Sequence, residues 1–343
     1  MSEPSTYIVT GGAGFVGSNC CAALSRARPD AQVICIDDFR VGSFRNLIEA
    51  YERHDLGPVS CEVIAQDWSF LHTLLGPRPV GIVHMAAITD TTVEDEAQML
   101  DENAGPAWDG LLESASETGH RLVYASSAAT YGTPPQAAQR VAFSLDAAGT
   151  PDNIYGFSKW VMENSHRRVQ ARDPAAHIVG LRFFNVFGPG ESNKGPMASM
   201  AYKLAQQMLE GKAPRLFTPG DQARDQVYVD DVVDCVLAGL GLGDFRKPTP
   251  GVYNLGSGKP TTFNELADAV RRGLGLGEAE LATEYFEMPE SVRRFYQDFT
   301  LANMSETARG LGFTAQHDPV RTIEAYAAYL KQRHTTTPAG ATP

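Results

Sequence analysis

A run of glycines near the N-terminus, 10-TGGAGFVG-17, places the strongest constraint on the fold of this 343-residue chain. A β-branched run precedes it at 7-YIVT-10, and a helical pattern of apolar residues follows it over Ser18–Arg26. A strand that turns through glycines into a helix brings backbone N–H groups and the positive helix end toward one point, where a pyrophosphate binds. The sequence therefore predicts a dinucleotide site. The residues expected to line it here are Gly11, Gly14, Phe15, Val16 and Gly17.

Short β-branched runs alternate with longer amphipathic stretches through the first half of the chain. Strands are expected at 7–10, 33–37, 61–65, 80–85, 121–126 and 177–184, and helices at 18–26, 98–118 and 159–171. This alternation predicts an α/β fold with a Rossmann-type, doubly wound parallel sheet. Ligands of such sheets bind at the carboxyl ends of the strands.

The regular alternation of strand and helix patterns ends after Asn185, although helices are still indicated at 197–210, 230–240 and 263–273. We interpret residues 1–185 as the dinucleotide-binding domain and residues 186–333 mostly as a smaller, interleaved C-terminal substrate-binding domain that covers the strand ends. Strands near 225–229 and 252–255 are candidates for returning to the first domain. Residues 334–343, rich in Thr, Pro and Ala, are expected to form a disordered tail.

Charge and cysteine content narrow the class of function. The formal net charge of -12 makes nucleic-acid binding unfavourable. The five cysteines include no CxxC pair and no histidine at zinc-ligand spacing, which favours reduced core thiols and no metal site. The sequence shows no signal-peptide pattern and no run of about 18 apolar residues. We therefore expect a cytoplasmic protein without a membrane segment.

The residues that follow the second strand bear on which dinucleotide binds. Asp37 ends that strand, where a carboxylate accepts hydrogen bonds from the adenine ribose hydroxyls. Asp37 and Asp38 would repel a 2′-phosphate and favour NAD, whereas Arg40 and Arg45 could pair with that phosphate and favour NADP. The sequence favours NAD, with NADP as the alternative.

Three residues predict acid/base chemistry. The fifth strand leads into 123-VYASSAATYG-132, which contains Ser127, and 155-YGFSK-159 opens the next helix. Tyr155 and Lys159 are four residues apart and share one helix face, so the lysine ammonium can favour the phenolate. Tyr155 is then an acid/base toward a carbinol that passes hydride to the cofactor, and the hydroxyl of Ser127 fixes the substrate oxygen.

The glycine turn, 84-HMAA-87, Ser127 and YGFSK together resemble the extended short-chain dehydrogenase/reductase family over nearly the whole chain. The resemblance implies a tightly bound dinucleotide, a nucleotide-activated sugar as substrate and a homo-oligomer. It implies further contacts around the cofactor from Asp38, Arg40, Asp67, His84, Ala86, Ala87 and Asn103. Dehydratases of the family carry an acidic pair just after the serine, where this chain has Ala128 and Ala129, which disfavours elimination.

A second resemblance concerns the segment 182-RFFNVFGPGESNKGPMAS-199. It is similar to that of the ADP-L-glycero-D-manno-heptose 6-epimerases, in which the lysine before Gly-x-Met-Ala-Ser is a second acid/base. Lys194 occupies that position. An epimerase that acts at an exocyclic carbon needs such a group, because rotation of the ketone moves its oxygen away from the first base. The resemblance further implies that the sugar nucleotide contacts Thr89, Thr91, Asn185, Arg224 and Tyr296.

At three positions this chain differs from the heptose epimerases, so the identity of the sugar stays undetermined by the sequence. This chain has Asn193 where the heptose epimerases commonly have histidine, Phe295 where they have a basic residue, and Val93 where they have an acidic one. One alternative is a C4 epimerase of a nucleotide hexose, or another nucleotide-sugar oxidoreductase, for which Lys194 would be dispensable. A catalytically silent dinucleotide sensor is a third hypothesis. The intact set of Ser127, Tyr155 and Lys159 counts against it.

Overall fold

The computed structural model describes residues 5–76, 78, 80–90, 93–242, 247–277, 280–290 and 296–336. Its strands are β1 Thr6–Thr10, β2 Gln32–Asp37, β3 Glu62–Ala65, β4 Gly81–His84, β5 Arg121–Ser127, β6 Ile178–Phe183, β7 Asn185–Phe187, β8 Arg215–Phe217, β9 Ala223–Tyr228, β10 Gly251–Leu255, β11 Pro260–Thr262 and β12 Glu284–Phe286. Its α-helices are α1 Phe15–Ala27, α2 Phe44–Arg53, α3 Leu71–Leu74, α4 Glu96–Ala104, α5 Pro106–Thr118, α6 Pro135–Gln139, α7 Ile154–Arg172, α8 Met200–Leu209, α9 Val229–Gly239, α10 Phe263–Gly273, α11 Ser305–Leu311 and α12 Pro319–Thr336.

Within these residues, seven strands form one sheet in the order β10-β6-β5-β4-β1-β2-β3. Every neighbouring pair in it is parallel. β1 lies between β2 and β4, with Thr10 beside Ile36 of β2 and His84 of β4. The chain builds outward from β1 in one direction through β2 and β3, and in the other from β4. This reversal creates a crevice at the carboxyl end of β1, where ligands of such sheets bind.

Alternate residues of the sheet face two different apolar layers. Val9, Val83 and Val123 pack in a buried cluster with helices α1, α2 and α9. Ile8 and Ile82 pack in a second cluster with α5 and α7, around the fully buried Trp108. Helices therefore cover both faces of the sheet, and the prediction of a doubly wound α/β fold is confirmed.

The single helix expected over residues 98–118 is wrong, because the structure has two helices, α4 and α5, divided at Gly105. Gly105 has extended backbone angles (φ −78°, ψ −164°), and Pro106 begins the second helix. A proline lacks the N–H that a continuous helix requires and is tolerated only in a first turn. Gly105 and Pro106 therefore end α4 and begin α5 as a separate helix.

A smaller assembly lies beyond the carboxyl ends of the large sheet. Among the described residues, β9 pairs with β7 and β11 in a three-stranded sheet, and β12 pairs with β8. Helices α8, α10 and α12 share their own buried apolar cluster, which includes Leu204, Leu266 and Ile323. This region provides the second wall of the crevice.

Two details of the expected domain division need correction. The strand near 225–229 does not join the large sheet, because β10 occupies the edge beside β6 and leaves β9 to pair with β7. Residues 334–336, expected in the tail, are helical, because α12 continues to Thr336 after packing Tyr326 and Ala327 into the cluster of the smaller assembly. Residues 337–343 lie outside the described part of the chain.

Candidate active site

The glycine turn joins β1 to α1, as the sequence indicates. Gly11 has a left-handed backbone (φ +63°), and a Cβ there would lie 2.7 Å from the backbone N of Ala86. A Cβ at Gly17 would lie 2.0 Å from the carbonyl oxygen of Gly11, so only glycine allows helix and turn to meet this closely. Gly14 is the N-cap of α1 and supplies no side chain to its first N–H groups. Phe15 and Val16 form the first turn of this helix, whose positive end fits a pyrophosphate.

Asp37 holds this turn against β2. Its carboxylate is 7% exposed and accepts hydrogen bonds from the backbone N–H of Ala13 (2.9 Å) and of Phe39 (2.8 Å). Burial raises the pKa of this carboxyl, and the two backbone hydrogen bonds oppose the rise. Each oxygen retains a second lone pair, so Asp37 can brace the turn and still accept a ribose hydroxyl.

The carboxylates near Arg40 form a network that the sequence did not reveal. Its guanidinium lies 2.5 Å from Asp38 and 3.9 Å from Asp67. It also lies 2.8 Å from Glu102 of α4, a residue that no sequence motif singled out. The arginine considered as a partner for a 2′-phosphate is thus already engaged by carboxylates.

The carboxyl end of β4 forms the floor of the crevice. His84 is 1% exposed, and its Nδ1 lies 2.8 Å from Oγ1 of Thr10. Its ring stacks on Trp108, and burial lowers its pKa to about 3, so the imidazole is neutral. Its Nε2 has no hydrogen-bond partner among the described residues. The half-buried Ala86 and Ala87 follow at the strand end.

Asn103 binds the loop that follows β4. Its fully buried amide accepts a hydrogen bond from the backbone N of Ile88 (2.8 Å) and donates to the carbonyl oxygen of Ile88 (3.1 Å) and to Oγ of Ser158 (3.0 Å). It therefore fixes the loop after β4 to helix α7, and its side chain is used within the protein. Thr89 is exposed on the same loop, and Thr91 lies outside the described residues.

Ser127, Tyr155 and Lys159 converge at the carboxyl end of β5. Asn153 caps α7 by accepting a hydrogen bond from the backbone N of Gly156 (2.8 Å), which begins the helix just before Tyr155. Burial raises the pKa of the Tyr155 phenol, and a hydrogen bond with Ser127 opposes the rise. Lys159 is 2% exposed, and burial lowers its pKa to about 7. The three groups expected to carry acid/base chemistry thus share one wall of the crevice.

A buried ion pair stabilises this wall from behind. Glu163 of α7 and Arg182 of β6, both at most 1% exposed, form two hydrogen bonds of 2.9 and 2.7 Å. Ser126, the neighbour of Ser127, donates to the same carboxylate (2.6 Å), and Arg182 donates to the phenol oxygen of Tyr131 (3.0 Å). No sequence motif indicates this network, because its members lie on separate elements.

Lys194 reaches the crevice from the opposite side. It lies in a 3-10 turn, Ser192–Met197, and its Nζ is 5.3 Å from the ring centroid of Phe15, the first residue of α1. Asn193 donates to Oδ1 of Asn46 on α2 (3.1 Å), which holds the turn against the dinucleotide wall. Burial lowers the pKa of Lys194, and the charge of Glu191 opposes this shift.

Glu191 fixes both ends of the segment that carries Lys194. Its carboxylate is fully buried and accepts hydrogen bonds from the backbone N of Gly188 (3.2 Å) and from the backbone N and Oγ of Ser199 (2.6 and 2.8 Å). Burial raises its pKa, and the Ser199 hydrogen bonds oppose the rise. Sequence reasoning missed Glu191, because a glutamate in a glycine-rich loop resembles a surface residue.

Arg224 provides a cation on the smaller assembly. Its guanidinium carbon is 5.0 Å from the ring centroid of Tyr296 and 5.8 Å from that of Phe263. Burial lowers its pKa, although an arginine stays charged. Asn185 is exposed at the start of β7, which pairs with the strand that carries Arg224. Arg224, Tyr296 and Asn185 thus belong to the smaller assembly, as a substrate-binding role requires.

Among the described residues, no group of three or more His, Cys, Asp or Glu side chains could hold a metal ion. No helix there is long and apolar enough to cross a bilayer. The five cysteines are free and buried.

The profile of the NAD dependent epimerase/dehydratase family matches residues 7–256. An ADP-L-glycero-D-manno-heptose-6-epimerase of Pseudomonas aeruginosa (strain UCBPP-PA14) is 36% identical, covering 90% of this chain and 93% of its own. The crystal structure of the Helicobacter pylori ADP-L-glycero-D-manno-heptose-6-epimerase is 31% identical, with a TM-score of 0.79 over 96% of both chains. A UDP-glucuronic acid 4-epimerase from Bacillus cereus, solved with UDP-glucuronic acid and NAD, shares the fold at 23% identity, with a TM-score of 0.75 over 96% of this chain and 99% of its own. The chain belongs to the NAD dependent epimerase/dehydratase family.

Proposed function

We propose that this protein is an ADP-glycero-manno-heptose 6-epimerase that oxidises C6 of the sugar transiently and reduces it again from the other face. The observation that carries the proposal is the position of Lys194, whose Nζ lies 5.3 Å from the ring centroid of Phe15. Tyr155 reaches the crevice from α7, which packs on one face of the large sheet, and Lys194 lies against α1, which packs on the other. Two acid/base groups on opposite sides suit an exocyclic carbon whose oxygen swings between them.

The relatives support this choice of sugar. Both the 36% identical curated protein and the 31% identical crystal structure are ADP-L-glycero-D-manno-heptose-6-epimerases. The 4-epimerase of Bacillus cereus supports the fold alone, since its identity is 23%.

NAD fits the crevice and is our proposed, tightly bound cofactor. The uncapped N-terminus of α1 would hold the pyrophosphate, and Asp37 would accept the ribose hydroxyls. When bound, NAD supplies the hydride acceptor and donor of the reaction. The engagement of Arg40 by Asp38 and Glu102 favours NAD over NADP.

The side chains of this protein would handle the proton and the orientation of the sugar. In our proposal, Tyr155 as phenolate removes the proton of the C6 hydroxyl, and the hydroxyl of Ser127 donates a hydrogen bond to the same oxygen. Lys159 favours the phenolate by its positive charge. After rotation about the exocyclic bond, the ammonium of Lys194 donates a proton to the ketone oxygen. Arg224 and Tyr296 would hold the diphosphate of the nucleotide during this rotation.

The test is NMR of the purified protein with ADP-D-glycero-D-manno-heptose in deuterated water, without added cofactor. The proposal requires that the C6 epimer forms without deuterium at C6, because a retained dinucleotide carries the hydrogen as hydride. Incorporation of deuterium at C6 would show that the hydrogen leaves as a proton, which would contradict the oxidation mechanism. A folded, cofactor-loaded enzyme that leaves this substrate unchanged would refute the heptose and direct attention to nucleotide hexoses.

A homo-oligomer and a cytoplasmic location remain predictions from the sequence. Sedimentation velocity of the purified chain tests the first, and fractionation of producing cells tests the second. The division of the chain at residue 185 is also a proposal, which limited proteolysis with and without the nucleotide sugar would examine.

A further inference from the structure

Arg40 is surrounded by carboxylates from three different parts of the chain. Asp38 follows β2, Asp67 follows β3, and Glu102 lies on α4, beyond β4. The corresponding distances to the guanidinium are 2.5 Å, 3.9 Å and 2.8 Å. These elements meet at the carboxyl ends of the strands on the side of β2, where the adenosine half of a dinucleotide binds in this fold. The network therefore spans the rim of the adenosine side.

Glu102 is held in place for this contact. Its Oε1 accepts a 2.7 Å hydrogen bond from Nε2 of Gln98, one helical turn earlier, and its Oε2 faces Arg40. The hydrogen bond to Arg40 lowers the pKa of Glu102, so the carboxylate is charged at neutral pH. Its side chain is only 27% exposed, whereas that of Arg40 is 55% exposed. The glutamate is thus the less exposed partner, and together with Asp38 it holds the guanidinium at the rim.

The charges of this network oppose a 2′-phosphate. Three carboxylates surround one guanidinium, so the network is negative as a whole. A 2′-phosphate adds negative charge at the same rim and needs a cation that is not already paired. Arg45 of α2 lies instead over the ring of Phe44, with its guanidinium carbon 6.0 Å from the ring centroid. Phe44 is 60% exposed, which directs this arginine toward the outer surface.

We propose that Glu102 is a specificity-determining residue that selects NAD over NADP by holding Arg40 in an ion pair across the adenosine rim. Asp37 and Asp38 alone would disfavour the phosphate, but Arg40 could turn to receive it. The ion pair with Glu102 opposes this rotation of the Arg40 side chain toward the phosphate. This inference rests on the dinucleotide site of the family and on no assumption about the sugar.

The test measures binding and not turnover. Dissociation constants for NADH and NADPH are determined by fluorescence titration for the cofactor-stripped wild type, Glu102→Gln and Asp101→Asn. Asp101 is an exposed carboxylate on the same helix, so its substitution removes the same charge beside the network. We expect Glu102→Gln to tighten NADPH binding about tenfold relative to NADH, the value of one charge-assisted hydrogen bond. Asp101→Asn should change this ratio by less than about twofold, because solvent screens its charge.

A double variant shows whether the gain depends on Arg40. In Arg40→Ala, the further change Glu102→Gln should no longer improve NADPH binding, since no guanidinium is available to release. An unchanged ratio in Glu102→Gln would overturn the inference, and so would an equal gain in Asp101→Asn or in the Arg40→Ala background. None of these outcomes depends on the sugar, so the proposed epimerase activity is tested separately.

Discussion

The Nζ of Lys159 lies 6.0 Å from the ring centroid of Tyr155, one helical turn away, while it donates a 3.0 Å hydrogen bond to the carbonyl oxygen of Ala125. The backbone of β5 therefore fixes the ammonium beside the phenol. Burial raises the pKa of Tyr155 and lowers that of Lys159 to about 7, so the protein alone keeps the phenol protonated. The positive charges of the lysine and of a bound oxidised nicotinamide must therefore lower the pKa of Tyr155 in the complex.

Tyr155→Phe should abolish most of the epimerisation and retain the cofactor. Loss of a positioned acid/base costs roughly 10²- to 10⁴-fold in kcat. The ring of the phenylalanine keeps the packing of α7, so the stoichiometry of bound NAD should not change. Tyr285→Phe is the matched control, because it removes a phenol from a half-exposed position on β12. Rates above half of the wild-type value in Tyr155→Phe would assign the first proton transfer to a different base.

Lys159 should make the stability of the cofactor-free protein depend on pH. Its pKa falls from the usual 10.5 to about 7 on folding, so the unfolded chain binds more protons between these two values. The free energy of unfolding should then rise with pH above 7, by at most about 1.4 kcal/mol per pH unit. Lys159→Met should remove this slope. Denaturant unfolding at pH 6.5, 8 and 9 measures it, and equal slopes in both proteins would contradict the buried, destabilised ammonium.

The features of the fold that the sequence predicted and the structure confirms follow from local spacing, whereas the roles of the site residues stay predictions. The turn 10–17 and the pair Tyr155 and Lys159 are defined over one or two helical turns, so neighbouring residues reveal them. The ion pair of Arg40 with Glu102 joins residues far apart in the sequence, and only the completed fold brings them together. Charged residues without a motif resemble solvated surface residues until their burial is known.

The three-stranded sheet shows a second limit of prediction from sequence, which concerns strand pairing. A short β-branched run such as 225–229 can pair with any free strand edge, and its composition does not distinguish between edges. β10 takes the edge beside β6, and β9 takes the one beside β7. The buried Glu191 was missed for a related reason, since two of its three hydrogen bonds come from the backbone N–H groups of Gly188 and Ser199, which every residue except proline carries.

Lys194→Ala separates the heptose mechanism from epimerisation at C4. At an exocyclic carbon the second proton transfer depends on Lys194, so kcat should fall by at least about 100-fold while the bound NAD is retained. Lys203→Ala is the matched control, because Lys203 lies on the adjacent α8 and the charge of Glu191 acts on its pKa as well. Its rate should remain within about threefold of the wild type. Near-normal turnover of Lys194→Ala on the heptose substrate would remove this lysine from the mechanism.

Arg224→Ala should weaken substrate binding more than it slows the chemistry. A hydrogen-bonded ion pair with a diphosphate is worth roughly 1.5–3 kcal/mol, which corresponds to a ten- to hundredfold rise in KM. Arg215→Ala on the neighbouring β8 removes the same charge from a side chain that is 62% exposed, and should leave KM within about twofold. Initial rates over a range of nucleotide-sugar concentrations provide both parameters. An unaltered KM in Arg224→Ala would place the diphosphate elsewhere.

Removal of one member of the buried Glu163 and Arg182 pair should destabilise the wall that carries Tyr155. Among the described residues, Arg182→Met leaves the fully buried carboxylate of Glu163 with Ser126 and the half-exposed Arg167 as partners, which costs about 3–5 kcal/mol. The double variant with Glu163→Gln should cost less than the sum of the two single changes, by more than about 1 kcal/mol, since the amide needs no counter-ion. The exposed pair Arg172 and Glu113 offers a matched cycle, with an expected coupling below about 1 kcal/mol. Urea unfolding of the wild type and the six variants gives both coupling energies, and equal values would mean that burial adds nothing to the inner pair.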